Sequence, residues 1–111
     1  MYDNQMSEMS ECIDDCLVCH RECLDTAMQR CVELGGKHVE PRHLRLILSC
    51  SELCQASARL MMIGTEHHRQ VCRICADLCQ ECADDCMHLG NMESCVEACR
   101  RCAESCRRMA A

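Results

Sequence analysis

Residues 75–86 read Cys75-Ala76-Asp77-Leu78-Cys79-Gln80-Glu81-Cys82-Ala83-Asp84-Asp85-Cys86, a C-x3-C-x2-C-x3-C pattern. Steps of four, three and four hold residues on one face of an α-helix. The same spacing recurs at Cys12/Cys16/Cys19/Cys23 and at Cys95/Cys99/Cys102/Cys106. Three helices thus carry thiols along the stripe where a helix bundle normally carries leucine. The spacing predicts a bundle core written in sulfur.

The breaks between these stretches set the topology. A first helix is expected from Ser7 to Leu34, ended by Gly35-Gly36, residues suited to leaving a helix in the left-handed region. After a connection at Lys37 to Glu40, Pro41 fits the first turn of a second helix that runs to Ile63 and stops at Gly64. Thr65 reads as the N-cap of a third helix reaching Leu89, and Asn91 as the cap of a fourth from Met92 to Met109. No segment alternates as a strand does. Connections this short force neighbouring helices antiparallel. The expected fold is all-α: an up-down-up-down antiparallel four-helix bundle with a cysteine-lined core, one domain over residues 1–111. The first and third connections then share one end, here the loop end. The middle turn and both termini share the other, the termini end.

The second helix differs from the rest, with only Cys50 and Cys54. Leu46, Leu53 and Leu60 form one stripe on it, and Ile47, Cys54 and Met61 another. Its outer stripe is expected to pack against a second copy of the chain in a homo-oligomer.

Composition narrows the function. A net charge of −6 argues against nucleic acid, which needs a basic face. Tyr2 is the only aromatic residue, so ordinary apolar burial is thin and the metal-free bundle should be only moderately stable. No uninterrupted apolar run approaches the ~20 residues of a membrane span. The opening Met1-Tyr2-Asp3-Asn4-Gln5 lacks the parts of a secretory signal. The expectation is a cytoplasmic protein with no membrane contact, its thiols kept reduced.

Fourteen of the sixteen cysteines form seven i,i+4 pairs: Cys12/Cys16, Cys19/Cys23, Cys50/Cys54, Cys75/Cys79, Cys82/Cys86, Cys95/Cys99 and Cys102/Cys106, leaving Cys31 and Cys72. Such neighbours have Cβ atoms about 5–6 Å apart, whereas a disulfide wants about 3.8 Å. Crosslinks along a helix are therefore strained. Packing alone would select Ala, Val or Leu over an oxidisable residue; Cys31 by itself fits a packing role. Iron–sulfur clusters favour loop spacings such as C-x2-C-x2-C, and structural zinc favours C-x2-C knuckles. Here C-x2-C occurs only as the join between C-x3-C units. Cu(I) is soft and prefers thiolate, and an i,i+4 pair offers two thiolates to one ion. Each Cu(I) that displaces a thiol proton leaves the core charge unchanged, while a Zn²⁺ tetrathiolate buries a charge of about −2 without basic partners. Multiple Cu(I) ions per chain are the preferred cargo. A zinc or mixed soft-metal thiolate buffer is the alternative, and a thiol redox protein a third reading. The last needs thiols near positive charge, and Arg100, Arg101, Arg107 and Arg108 lie beside them on the expected outer face. No nucleophile–base pair, phosphate loop or open metal site is evident, so the chain does not read as an enzyme.

The repeated C-x3-C-x2-C-x3-C on consecutive helices, the length and the near absence of aromatics resemble the cysteine-rich four-helix-bundle copper storage proteins of bacteria, in their cytosolic branch. The likeness runs from Cys12 to Cys106. It implies a lumen that fills with Cu(I) bound mostly within C-x3-C pairs, and homo-oligomers that are often tetramers. Copper ions are the expected partner, with a copper chaperone as a candidate supplier.

Copper must enter at one end. The loop end gathers Met28, Cys31, His38, His43, Met87, His88 and Met92; the termini end gathers Met6, Met9, Met61, Met62, His67, His68 and Met109. Thioether and imidazole both suit Cu(I). Gly35-Gly36 makes the loop end the more mobile, and His43, His88 and Met92 are the expected ligands for entry and exit. His20, adjacent to Cys19, falls about 100° off the thiol stripe and is expected to be exposed.

Overall fold

The computed structural model describes residues 4–111, with side chains from Ser7 onward. Among these residues four long helices form the bundle. The first, α1, spans Asn4–Asp25, continues through a π-helical turn at Thr26–Cys31 and ends in one further α-turn, Val32–Leu34. The others are α2 (Pro41–Ile63), α3 (His68–Leu89) and α4 (Glu93–Ala110). A 3-10 turn, Gly36–Val39, fills the first connection.

Local chemistry explains most boundaries. Pro41 opens α2, and Glu40 before it is extended at φ −63, ψ 143, as a residue preceding proline must be. Gly64 closes α2 in the left-handed region at φ 85, ψ 22, its N–H bonded to the Leu60 and Met61 carbonyls. Two expected caps act differently. Thr65 serves the turn before α3, not the helix itself: its hydroxyl accepts the His67 N–H at 3.3 Å, and α3 begins at His68. Asn91 sits at φ 66, which excludes the extended backbone of an N-cap. Met92 takes the cap position, and the Asn91 carbonyl instead accepts Arg30 Nε at 3.0 Å.

The thiols report the helix register. Cys12, Cys16, Cys19 and Cys23 of α1 face Cys106, Cys102, Cys99 and Cys95 of α4 at 3.7, 3.6, 3.7 and 3.6 Å. Cys50 and Cys54 of α2 face Cys79 and Cys75 of α3 at 3.6 and 3.7 Å. One number rises as the other falls, so both pairs are antiparallel, as expected. Small residues flank the stripes: Ala27, Ala58, Ala76, Ala83 and Ala103 are buried, which lets the helix axes approach. Ile47 is the largest side chain with no exposed surface.

His20 corrects one expectation. It is half-buried between α1 and α2, where Nδ1–H donates to the Ser51 carbonyl at 2.9 Å and the Ser51 hydroxyl donates to the His20 carbonyl at 2.8 Å. Ser51 has no exposed surface. The pair locks two helices, each side chain donating to a backbone carbonyl of the other helix.

Helix α2 is, by length and composition, long and apolar enough to cross a membrane, although Arg42, Arg45, Glu52 and Arg59 interrupt its apolar residues. Its inward stripe is nonetheless packed inside the bundle. On its outer side Arg45, Leu48, Ser49, Glu52, Leu53, Ala56 and Leu78 line a shallow groove.

Candidate metal centre

All sixteen cysteines are free thiols with no exposed surface. Helical pitch explains why: on α3 the inward positions are Cys72, Cys75, Cys79, Cys82 and Cys86, and on α4 they are Cys95, Cys99, Cys102, Cys106 and Met109, preceded by the cap residue Met92, all buried. Helix α2 keeps the same spacing with other residues. Its inward stripe is His43, Ile47, Cys50, Cys54, Ser57 and Met61, each at most 3% exposed. Cys50/Cys54/Ser57/Met61 is therefore a fourth copy of the four-three-four pattern, with a hydroxyl and a thioether in place of two thiols. That signal is present in the sequence, and the two-cysteine reading of α2 overlooks it.

Cys31 reaches the lumen by a different route. It lies eight residues beyond Cys23, which on a regular α-helix puts it about 80° off the stripe. The π-helical turn at Thr26–Cys31 absorbs one extra residue and re-phases the helix, so Cys31 points inward.

Sulfur atoms approach more closely between helices than within them. The i,i+4 pairs Cys19/Cys23, Cys75/Cys79, Cys82/Cys86 and Cys102/Cys106 stand 3.9 to 4.0 Å apart. Across helices Cys54–Cys79 is 3.4 Å and Cys23–Cys99 is 3.5 Å. Groups of four sulfurs all lie within 4.8 Å of one another: Cys16/Cys75/Cys102/Cys106, Cys19/Cys50/Cys54/Cys79, Cys19/Cys23/Cys50/Cys99, Cys23/Cys82/Cys95/Cys99 and Cys54/Cys75/Cys79/Cys102 among them. These groups overlap. Cys19, Cys23, Cys50, Cys54, Cys75, Cys79, Cys99 and Cys102 each belong to two of them. Separate four-thiolate sites would compete for the same ligands, whereas ions that share bridging sulfurs can occupy the column together.

The thiols hydrogen-bond to one another, and their proton affinities diverge. Hydrogen bonding to Cys102 pushes Cys54 and Cys106 up, while hydrogen bonds from Cys19 and from Cys102 push Cys50 and Cys75 down. Asp15, partly buried near Ser105, is pushed up by burial.

At the loop end the structure unites part of the expected group. His43, only 3% exposed, donates Nδ1–H to Asp85 Oδ2 at 2.6 Å. That bond fixes the tautomer with the lone pair on Nε2, which lies 3.3 Å from Cys31 Sγ. Met92 Sδ is 3.4 Å from the same sulfur. Arg42 holds the other side of Asp85, at 3.4 Å. His38 is buried but bonded through Nε2 to the Gly90 carbonyl at 3.0 Å, which staples the first connection to the third. Met28, Met87 and His88 are exposed; Met87 lines one hollow together with Met92 and Cys86, whereas Met28 and His88 line neither hollow beside Met92. Hollows on both sides of the third connection reach Met92, and the one of about 500 Å³ is also lined by Cys86. At the termini end Met62 and His67 are exposed, and the Met6 side chain lies outside the described residues.

Cys31–His43–Asp85 has the order of a nucleophile, its base and an orienting carboxylate, an arrangement the sequence did not reveal. Its chemistry points elsewhere. Burial, then the nearby Cys95 and Cys82 sulfurs and Asp85, pushes the Cys31 thiol up to about 11, the reverse of an activated nucleophile, and the sulfur has no exposed surface. Thiol, thioether and an oriented imidazole together make a soft-metal ligand set. The arginines beside the α4 thiols, Arg100, Arg101, Arg107 and Arg108, are exposed, as expected.

The chain is similar to proteins whose structures are solved. One, from Nitrosospira multiformis, is 49% identical and superposes with a TM-score of 0.92, covering 94% of this chain and 95% of that one. The Cu(I)-bound copper storage protein BsCsp3 is 29% identical with a TM-score of 0.86, covering 94% and 99%. A cytosolic copper storage protein from Streptomyces lividans, with five coppers, is 28% identical with a TM-score of 0.80, covering 96% and 94%. No curated protein sequence matches. The family model for copper storage protein, Csp, matches residues 5–111, so this chain, with its column of buried thiols, belongs to the copper storage protein family.

Proposed function

We propose that this protein takes up many Cu(I) ions and holds them in its thiol column as a store, without catalysis. The overlap of the four-sulfur groups carries this reading: shared sulfurs suit an ion that accepts low coordination and bridging thiolates. Each ion replaces a thiol proton, so filling adds no net charge to the interior. The Cu(I)-bound state of BsCsp3 and the five coppers of the Streptomyces lividans protein support the choice of metal.

Copper enters and leaves at the loop end. Met92, reached from the surface hollows, and His43 Nε2 receive it beside Cys31, the first thiol of the column. His88, exposed on the last turn of α3, is the outermost ligand of this proposed route. Sixteen reduced thiols need a reducing compartment, which favours the cytoplasm, where a protein chaperone delivers copper. The apolar groove on the outer side of α2 is the face on which copies of the chain assemble, as a tetramer.

Anaerobic titration of the reduced protein with Cu(I), against a competing chelator, tests the reading. Tight uptake of more than ~10 ions per chain is expected for bridged thiolates. A limit near four, about one per four thiolates, would mark a zinc-type buffer instead. Uptake of none or one would reject storage.

A further inference from the structure

The route just described uses one end of the bundle. The other end carries a second set of soft ligands. Along the registers that align the thiols, the level beyond Cys12, Ser57, Cys72 and Cys106 holds Met9, Met61, His68 and Met109. Met61 and Met109 are buried and Met9 is partly buried. Met9, His68 and Met109 line one small cavity of about 120 Å³. Met61 Sδ lies 3.9 Å from Cys72 Sγ, the outermost thiol of α3.

Packing alone does not account for this choice. Leu17, Leu24 and Leu34 stand on the outside, 37% to 45% exposed, while the inward places at this end go to thioethers. His68 is also prepared as a ligand. Its Nδ1–H donates to the Thr65 carbonyl at 2.7 Å, which leaves the lone pair on Nε2, the arrangement metal-binding histidines take. His43 shows the same device at the opposite end. Between Met61 and Cys54 on the α2 stripe, the hydroxyl of Ser57 is buried at 1% exposure and has no hydrogen-bond partner. A buried orphan hydroxyl costs stability, and here it keeps the way from Met61 to the thiols free of an aliphatic plug such as Ile47. Arg108 at the rim is paired with Glu11 and Glu104 at 3.5 and 3.3 Å, which balances its charge against an incoming cation.

We propose that the termini end holds a second Cu(I) site, formed by the thioethers of Met9, Met61 and Met109 with Nε2 of His68, which passes copper to Cys72. The site rests on the storage reading. In the transfer, a copper–thioether bond to Met61 is exchanged for a copper–thiolate bond to Cys72. The Cys72 proton leaves to water, and copper stays Cu(I) throughout.

Loading kinetics separate the two ends. The probe is chelated Cu(I) under anaerobic conditions, and the background is a mouth variant carrying His43→Ala and Met92→Leu. That variant should still load through the termini end. Adding Met9→Leu, Met61→Leu and Met109→Leu should slow the remaining phase by about tenfold, the low end for disturbing a metal site, and His68→Gln alone should slow it in the same sense. If the triple variant loses helical circular dichroism, the His68→Gln result decides. A remaining phase unchanged by both sets, with wild type still filling, overturns the second site and leaves storage intact. So does a mouth variant that takes up no copper. Wild type that binds no copper overturns storage and this site together.

Discussion

Ile47 stands on the α2 stripe between His43 and Cys50 with no exposed surface, and Ile47→Ala removes three carbons from that position. At ~0.8 kcal/mol per buried methylene, the lost transfer energy is about 2.4 kcal/mol. The helices close only partly around the gap, which brings the total to about 3 kcal/mol, inside the range for Ile→Ala in cores. For a chain of this size that is a fall in apo melting temperature of about 10–15 °C. The assay is thermal unfolding of the reduced, metal-free protein followed by circular dichroism, with a Cu(I) titration alongside. Copper capacity should match wild type, because isoleucine offers no ligand. An unchanged apo melt would refute the claim that packing around Ile47 holds the empty bundle together. A drop in capacity would refute the separation of packing from ligation.

Cys54 belongs to two four-sulfur groups, with neighbours Cys79, Cys75 and Cys102 at 3.4, 3.7 and 3.8 Å. Cys54→Ser should therefore lower copper capacity by more than Cys31→Ser does, and equal losses in the two titrations would contradict the shared-ligand picture. His20→Ala removes the Nδ1–H donor to the Ser51 carbonyl, so it should destabilise the apo protein by about 1–2 kcal/mol; an unchanged urea midpoint would show the lock to be idle. Burial raises the Cys31 thiol from 9.0 to about 11, so the folded state holds that proton more tightly than the unfolded chain. Its contribution is whole below about pH 9 and disappears as pH climbs toward 11. The apo urea midpoint should fall across that interval, and fall less in Cys31→Ser; identical profiles would remove Cys31 as a cause.

The stripes of α1, α3 and α4 were legible because a period of 3.6 residues converts four-three-four spacing directly into one buried face, and Pro41 and Gly64 marked the two ends of α2 by backbone chemistry alone. Three features were not legible. Cys31 is out of phase by local rules, and nothing in Thr26-Ala27-Met28-Gln29-Arg30 announces a π-turn; what fixes its phase is its contact with His43 and Met92, residues distant in sequence. His20 is off-stripe, and its burial depends on Ser51 of a neighbouring helix. Asp85 reads as one of many surface acids until α2 places His43 2.6 Å from it. Each of these rests on a partner that spacing along one helix does not contain.

The match of Cys12, Cys16, Cys19 and Cys23 with Cys106, Cys102, Cys99 and Cys95 follows from a symmetry of the spacing. Four-three-four is a palindrome: read from either terminus it gives the same intervals. In α1 and α4 the repeat sets its sulfurs at matching levels although the two helices run in opposite directions, so the connections between them can be lengthened, shortened or rewired without moving a thiol of the repeat out of its level. Helix α2, with Ser57 and Met61 in two of the four places, keeps a direction. One residue inserted inside a helix, by contrast, shifts every sulfur beyond it, unless a π-turn like that at Thr26–Cys31 takes up the slack.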